Sequence, residues 1–492
     1  MLIRQFRRVA TTPPRRRLTS KNVTINLNSK QAIGSVHSQY LSFSIDISVL
    51  AGGFWWEGGT GSKRGLGTER VPPLDLDQPQ LDKLVSALGP AFVRVGGSEA
   101  DKVAYFTSVS KQDTKADALN LSQEMWHGLH DFCQRNALDL MFTFKYGLFS
   151  RLRHGRWQDD QVRALLEYSQ QHQQNIAVCE LGNELNAYWA FHGLTAQPSA
   201  YKLAQDYGTF IKTIRQYSPN SLIAGPGSAF WPKIGETIRP ISNLTAPFLS
   251  HLPAPIDIVS WHYYPFQSSR SPVKTRAATL RNLLNPKCFL DYQKYCGELS
   301  VQRNKYWPKA QLWTGETGSA QCGGQKKLSD RFVSSFWWAD QLGRGAKLGQ
   351  QVMVRQSLIG GDYALINRRN LKPNPDYWVS WLWNKLMGQD VYDVSSSDPQ
   401  VLVYCHKAKK LDKCTLLIIN MSASPKIIQA QHFGAKKRRY ELTADSLTSK
   451  KVRINGIRPK FKNAKVKLKD FPKLSKLNIV SPYSINFWCF EM

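Results

Sequence analysis

Short apolar strands alternate with amphipathic helical stretches from about residue 22 to about residue 388, and few folds accommodate that alternation. Strand patterns cover 91–95, 138–144, 222–225, 256–260, 311–314 and 351–354, with helical stretches such as 159–174 and 199–217 between them. Repetition of this kind implies parallel strands joined by crossover helices. A closed (β/α)8 TIM barrel fits better than an open sheet, because no glycine-rich nucleotide loop follows the first strand. After residue 388 the pattern changes to strands and polar turns at 401–404, 415–419 and 485–488, the pattern of a C-terminal β-sandwich. The alternating segment 23–27 precedes the barrel and is expected to pair into that sandwich. The predicted organisation is a basic arm or targeting segment over 1–20, a sandwich strand over 21–34, the barrel over 35–388 and the sandwich over 389–492. No internal repeat is present.

Charge narrows the partners. The 492 residues hold 66 Lys and Arg against 36 Asp and Glu, a net charge of +30, which attracts polyanions: nucleic acid, sulfated glycans or anionic membrane. Residues 430–476 alone carry fifteen basic residues and three acids. There the alternating 465–469 would put three lysines on one face of a strand, either a docking surface or an edge protected against aggregation. No recognisable nucleic-acid motif accompanies the charge, and no apolar run is long enough to cross a membrane. Eight cysteines form no CxxC pair and no zinc spacing, so no metal or cofactor is expected. Cys288 and Cys296, and Cys405 and Cys414, are close enough in sequence to bridge, and Cys405 could also reach Cys489. Sequons at Asn22, Asn120, Asn243 and Asn420 favour a secretory glycoprotein, whereas residues 1–18, with six Arg and no acid, resemble a transit peptide or a disordered arm.

Two glutamates end apolar strands. Val178-Cys179-Glu180-Leu181 runs into Gly182-Asn183-Glu184, and Leu312-Trp313-Thr314 into Gly315-Glu316. At the C-terminal mouth of a barrel both enter the active-site ring. Glycoside hydrolysis needs such a pair: a protonated acid beside the leaving oxygen and an ionised carboxylate on the opposite face of the sugar, about 5–5.5 Å apart in retaining enzymes. Asn183 can hydrogen-bond a sugar hydroxyl. A histidine or tyrosine of Trp261-His262-Tyr263-Tyr264, at another strand end, can orient the nucleophile. The Gly- and Trp-rich insert over 46–70 (Phe54-Trp55-Trp56) either caps the cleft, stacks on sugar rings or packs as core.

These motifs, with Ser44-Ile45-Asp46, Phe92-Val93-Arg94-Val95-Gly96-Gly97, Val354-Arg355-Gln356, Gly361-Asp362-Tyr363 and Pro375-Asp376-Tyr377-Trp378, resemble glycoside hydrolase family 79 and, within it, the heparanases. The likeness runs from about residue 40 to the C-terminus. It implies Glu184 as acid/base, Glu316 as nucleophile, and sugar contacts from Asp46, Tyr263, Gly361 and Tyr363, with Tyr264 as neighbour. The Gly361 amide and the Tyr363 hydroxyl would suit a glucuronate carboxylate. Departures occur at Ser48, at Leu185-Asn186 and at Gln321-Cys322-Gly323-Gly324, all in substrate subsites.

The expected activity is that of a retaining β-glucuronidase acting on heparan sulfate or a related acidic polysaccharide. Lys102, Lys145, Lys233 and Arg270, near strand ends, are the candidates to meet sulfates. The alternatives are an exo-β-glucuronidase, favoured if the insert closes the cleft, and a heparin-binding protein without catalysis, which both glutamates argue against. By resemblance the protein acts outside the cell or in lysosomes, as a monomer, with matrix or peripheral membrane association through glycans. Animal heparanases carry an excised linker after the segment matching 92–106. Here only 107–122 stand in its place, so an intact single chain is expected to be active.

Overall fold

The computed structural model describes residues 21–56, 69–106, 119–147, 155–236, 243–409, 413–461, 465–474 and 478–491. Eight parallel strands close into a barrel. In chain order they are Leu41–Asp46, Ala91–Gly96, Leu138–Phe144, Val178–Leu181, Leu222–Phe230, Ile258–Tyr263, Gln311–Thr317 and Val352–Arg355. The eighth pairs with the first, Val354 opposite Ser42. Several helices between the strands bury one stripe each. Helix Gln123–Arg135 starts where the Ser122 side chain caps the Met125 amide, and it buries Trp126, Leu129, Phe132 and Cys133, three to four residues apart. Burying each such side chain contributes roughly 1.5–3 kcal/mol.

The C-terminal strands form one nine-stranded, mostly antiparallel sheet with the N-terminal strand Lys21–Ser35 inside it. That strand lies antiparallel to Met387–Ser396 and parallel to Lys426–Gln431. The expected sandwich is therefore a single sheet folded over itself. Its ends meet where Lys436, on strand Lys436–Ala444 next to one edge, donates to Asn478, and Arg439 to the carbonyl of Ile479 on strand Ile479–Val480 at the other edge. Val23, Ile25, Leu416, Ile418, Trp488 and Phe490 fill the space so enclosed. The outer face packs on helix Phe332–Lys347, which is buried along almost its whole length. There Asp340 accepts two bonds from Arg344, both 2.9 Å, and one from the Tyr404 hydroxyl of the sheet.

Several local expectations are corrected. The segment over 465–469 is not a strand: Leu468–Asp470 is a 3-10 turn, held because Asp470 accepts the Lys467 amide. All eight cysteines are free thiols. Cys405 and Cys414, on adjacent strands, share a thiol hydrogen bond, while the Cys296 thiol is engaged with Tyr292 on its own helix. The sequon residue Asn420 is buried and donates to the carbonyls of Ser424 and Ser481, so it is closed to glycosylation in the folded chain. Asn22, Asn120 and Asn243 are exposed. Much of the insert (57–68) and of the linker-equivalent stretch (107–118), on which the single-chain expectation rests, and the N-terminal arm lie outside the described residues. Among the described residues no helix is long and apolar enough to cross a membrane.

Candidate active site

Glu184 follows the fourth barrel strand and Glu316 lies near the end of the seventh. Gly182-Asn183 turns the chain after Leu181, and Glu184 takes up left-handed backbone angles, φ 49° and ψ 49°. That conformation costs an L-residue roughly 1–2 kcal/mol. One oxygen from each carboxylate and one ring nitrogen of His262 lie within 4.8 Å of one another. His262 Nδ1 is 3.1 Å from Glu184 Oε1. Among the described residues these three are also the one group spaced to share a cation, but the Arg94 guanidinium already neutralises Glu316.

The two glutamates differ in their partners. Glu316 accepts from Arg94 Nη1 at 2.7 Å through one oxygen and from the Tyr264 hydroxyl through the other. Charge-assisted bonds of this kind are roughly twice as strong as neutral ones and fix the carboxylate's orientation. Glu184 has no arginine or lysine bonded to it among the described residues. Arg94 also reaches Glu180 Oε2 through Nε and Nη2, at 2.9 and 2.8 Å, and Asn183 Oδ1 at 2.9 Å. Thr143 and Ser260 complete the Glu180 shell at 2.9 and 3.0 Å. Burial alone would push the Glu180 carboxyl up. The attraction of Arg94, then that of His262, with the Arg94 and Thr143 hydrogen bonds, brings it below the usual carboxylate range instead. Burial likewise opposes the Arg94 charge, and Glu180 and Glu316 outweigh it.

Asp46 ends the first strand and caps the short helix after it, accepting the Ser48 amide at 2.9 Å. Burial pushes its carboxyl up to about 8; the Ser48 amide opposes this, and the nearby Glu316 and Glu99 add to it. Gly97, at φ +109°, leaves the room: a Cβ there would fall 2.0 Å from Asp46 Oδ2. The neutral acid is favoured in the folded state while the unfolded chain ionises near pH 4. The native state therefore binds more protons between about pH 4 and about pH 8, and stability falls as pH rises through that window. Asp46→Asn removes this term. Against that variant, the wild type is expected to lose roughly 1.4 kcal/mol of relative stability per pH unit between pH 5 and 7. Urea unfolding of both at several pH values measures it, and parallel curves would refute the protonated Asp46.

These groups open into a cleft of about 290 Å³. Asp46, Glu184, Tyr264, Glu316 and Tyr363 line it, as do Trp55 and Trp56 of the insert. Trp56 packs so closely on the loop after the seventh strand that a Cβ at Gly323 would lie 2.3 Å from its own. On the Glu184 side the wall is Ala190, Trp231, Pro272 and Val273.

Other expected site residues stand elsewhere. Side chains alternate along a strand, so His262 and Tyr264 face the mouth while Tyr263 points outward onto Tyr292 and Tyr295 of helix Leu290–Tyr306. Tyr264 takes the place foreseen for Tyr263. Asn183 is held by Arg94 beside the cleft. Gly361 lies under the Tyr363 ring, which a Cβ at 361 would meet at 3.0 Å. None of the four cations expected to meet sulfates lines the cleft. Lys102 pairs with Glu99 at 3.1 Å, and Lys145 lies over the Tyr105 ring. Lys233 sits in a turn whose amide donates to Asp291. Arg270 is a buried clamp, donating to Asp362 at 2.7 Å and to the Gly324 carbonyl at 2.8 Å, so it ties together the loops after the sixth, seventh and eighth strands. Arg94 and Glu180 were not foreseen as site residues. Their signal was present: a lone charge in the middle of each of two apolar strands, opposite in sign.

Comparison with known proteins agrees with this geometry. The model for the N-terminal domain of glycosyl hydrolase family 79 matches residues 22–343. Heparanase-like protein 1 of Arabidopsis thaliana is 28% identical over 378 residues, covering 72% of this chain and 66% of that protein, just under two thirds of its length. Heparanase of Gallus gallus is 26% identical over 501 residues, with 90% and 89% covered. Hyaluronoglucuronidase of Hirudo nipponia is 26% identical over 480 residues, with 89% and 91% covered. In fold, the chain is similar to the family 51 arabinofuranosidase from Xanthomonas axonopodis pv. citri (TM-score 0.67, 14% identity, 95% and 99% covered). A barrel with paired glutamates at its mouth, matched by one family model along about two thirds of its sequence, places this chain in glycosyl hydrolase family 79, and it is a glycoside hydrolase.

Proposed function

We propose that the protein is a retaining β-glucuronidase that cleaves β-glucuronide links in an acidic polysaccharide. Glu316 is the nucleophile and Glu184 the acid/base. The observation that carries this is the asymmetry across a short gap. The two carboxylates approach within 4.8 Å, and among the described residues only Glu316 has an arginine and a tyrosine hydroxyl bonded to it. Oriented by these two bonds, the Glu316 carboxylate attacks the anomeric carbon while Glu184, beside His262, gives its proton to the leaving oxygen. Glu184 then takes a proton from the water that releases the sugar. Asp46, as a neutral acid, donates to a sugar oxygen, and the Tyr363 hydroxyl meets the glucuronate carboxylate. The relatives named as heparanase and hyaluronoglucuronidase support the substrate class, and the resemblance supports a secreted or lysosomal setting.

The test is proton NMR of an aryl β-glucuronide during hydrolysis. The β-anomer of glucuronate is expected first, with the α-anomer arising only by mutarotation. Initial α-product would refute retention. A second reading, release of terminal glucuronate, is favoured by Trp55 and Trp56 lining the cleft. Sizing the products separates the two: oligosaccharides from endo cleavage, free glucuronate from exo.

The apolar wall beside Glu184 faces the leaving group in this mechanism. Trp231→Ala removes its largest ring and is expected to raise KM about tenfold with kcat changed far less. Steady-state kinetics decide this, and an unchanged KM would mean that Trp231 is packing alone.

A further inference from the structure

Of the fifteen basic residues over 430–476, ten described ones fall into two groups in the folded chain. One group is engaged by the protein itself. Arg438 donates to the carbonyls of Leu468 and Phe471, at 3.1 and 3.0 Å. Lys436 and Arg439 join the ends of the sheet, and both lie over the Trp488 ring. Lys450 pairs with Asp330 at 2.7 Å. These charges hold the fold together.

The second group faces open space. Arg453, Arg458 and Lys460 line a groove of about 450 Å³ with Ile457, Val466 and Phe471. Asp445 lies 3.2 Å from Arg453 and 3.8 Å from Arg458 and aligns the two guanidinium groups. Such exposed pairs are worth about 0–1 kcal/mol, so an arriving anion can compete for both. Asp470 also lines the groove, but its carboxylate is turned back to cap the Lys467 amide. Exposed Lys465, Lys467 and Lys469 continue the positive rim.

The groove is fastened near the mouth of the barrel. The amides of Phe332 and Val333, at the start of the helix after the seventh strand, donate to the carbonyls of Ser449 and Leu447. Phe461 packs on Tyr377 and Trp378, at the start of the helix after the eighth. Both helices begin from loops that leave the C-terminal ends of the strands, the side where the cleft opens.

We propose that this groove is an exosite for a sulfated polyanionic glycan, which holds a polysaccharide chain while the cleft cuts it; this rests on the glucuronidase reading of the cleft. Three cations lining one groove suit sulfate groups. A single-stranded nucleic acid would call for exposed aromatic platforms, whereas the aromatic ring here, Phe471, is 3% exposed and forms the floor.

The test uses the intact protein and a size-defined heparin octasaccharide. The variant R453A/R458A/K460A is compared with K212A/K294A/K305A, which removes the same charge from exposed lysines on barrel helices. The groove variant is expected to bind the octasaccharide roughly tenfold or more weakly, with a shallower salt dependence, and to show a higher KM for polysaccharide. Its hydrolysis of 4-nitrophenyl β-glucuronide, too small to reach the groove, serves as the check on folding. The charge-matched control is expected to bind like the wild type. Equal weakening of both variants would overturn the exosite in favour of a diffuse field, as would no change in either. So would a DNA duplex bound as tightly and lost through the same three substitutions. If the wild type cleaves no glucuronide of any size, the proposed activity fails, while the binding comparison still decides the groove.

Discussion

Replacing Glu316 with alanine is expected to lower kcat by at least about 10⁴-fold, the largest effect of any single substitution in this protein. In the proposed mechanism the side chain supplies the bond-forming oxygen, and neither neighbouring carboxyl group of the barrel can stand in. Asp46 is neutral below about pH 8, and Glu180 is locked behind Arg94. Shortening the side chain leaves space where a small anion can act instead. Azide added to Glu316→Ala should restore turnover and yield the α-glucuronyl azide, because attack comes from the face the carboxylate used. Glu184→Ala should behave differently. It should keep substantial activity on aryl glucuronides with acidic leaving groups and lose it on alkyl ones, since only the latter need a proton. Rescue of Glu184→Ala with the α-azide as product would reverse the two roles.

Arg94→Met is expected to cost about 3–5 kcal/mol of stability and most of the activity. Arg94 and Glu180 are 1% and 0% exposed, and removing the guanidinium strands a carboxylate in the barrel core. Glu180 has its pKa lowered in the folded state, so its ionic contribution is present above the unfolded value, near pH 4.5, and fades as pH falls through the folded one. The deficit of Arg94→Met should therefore be largest at neutral pH and shrink in acid. Arg94→Lys should rescue little, because one ammonium cannot reproduce a fork that reaches Glu180, Glu316 and Asn183 together. The double variant Arg94→Met with Glu180→Gln should recover stability but not turnover, since Glu316 still lacks its cation. Urea denaturation with parallel kinetics tests this. A double variant as unstable as Arg94→Met alone would show that packing, and not the stranded charge, dominates.

Much of the arrangement around these residues was legible in the chain itself. Period-two strands followed by period-3.6 helices leave few topologies, and a glutamate directly after an apolar strand has few places to go but the mouth. The same alternation, applied to Trp261-His262-Tyr263-Tyr264, already separates His262 and Tyr264 from Tyr263, although the family likeness pointed to Tyr263. The basic residues were harder. Lys102, Lys145, Lys233 and Arg270 have the composition of sulfate contacts, but nearness of a long side chain to a strand end does not say which way it turns. The loops turn Lys102, Lys145 and Arg270 to protein partners, while Lys233 is exposed away from the cleft and bonded through its backbone amide.

Local pattern by itself pointed to the barrel, to a strand near residue 23, and to the placing of Glu184 and Glu316 at strand ends, because these depend on hydrophobic period and on short-range turns. Tertiary structure alone decided which charges are spent on the fold and which face a ligand. Arg94 lies 86 residues from Glu180 and 222 from Glu316, yet one guanidinium binds both. Arg438 and Arg453 belong to one basic stretch, yet the first is bonded to the carbonyls of Leu468 and Phe471 at the 3-10 turn and the second lines an open groove. A charge finds its partner through the closure of the barrel and the folding-over of the sheet, and neither closure is written in the neighbours of any one residue.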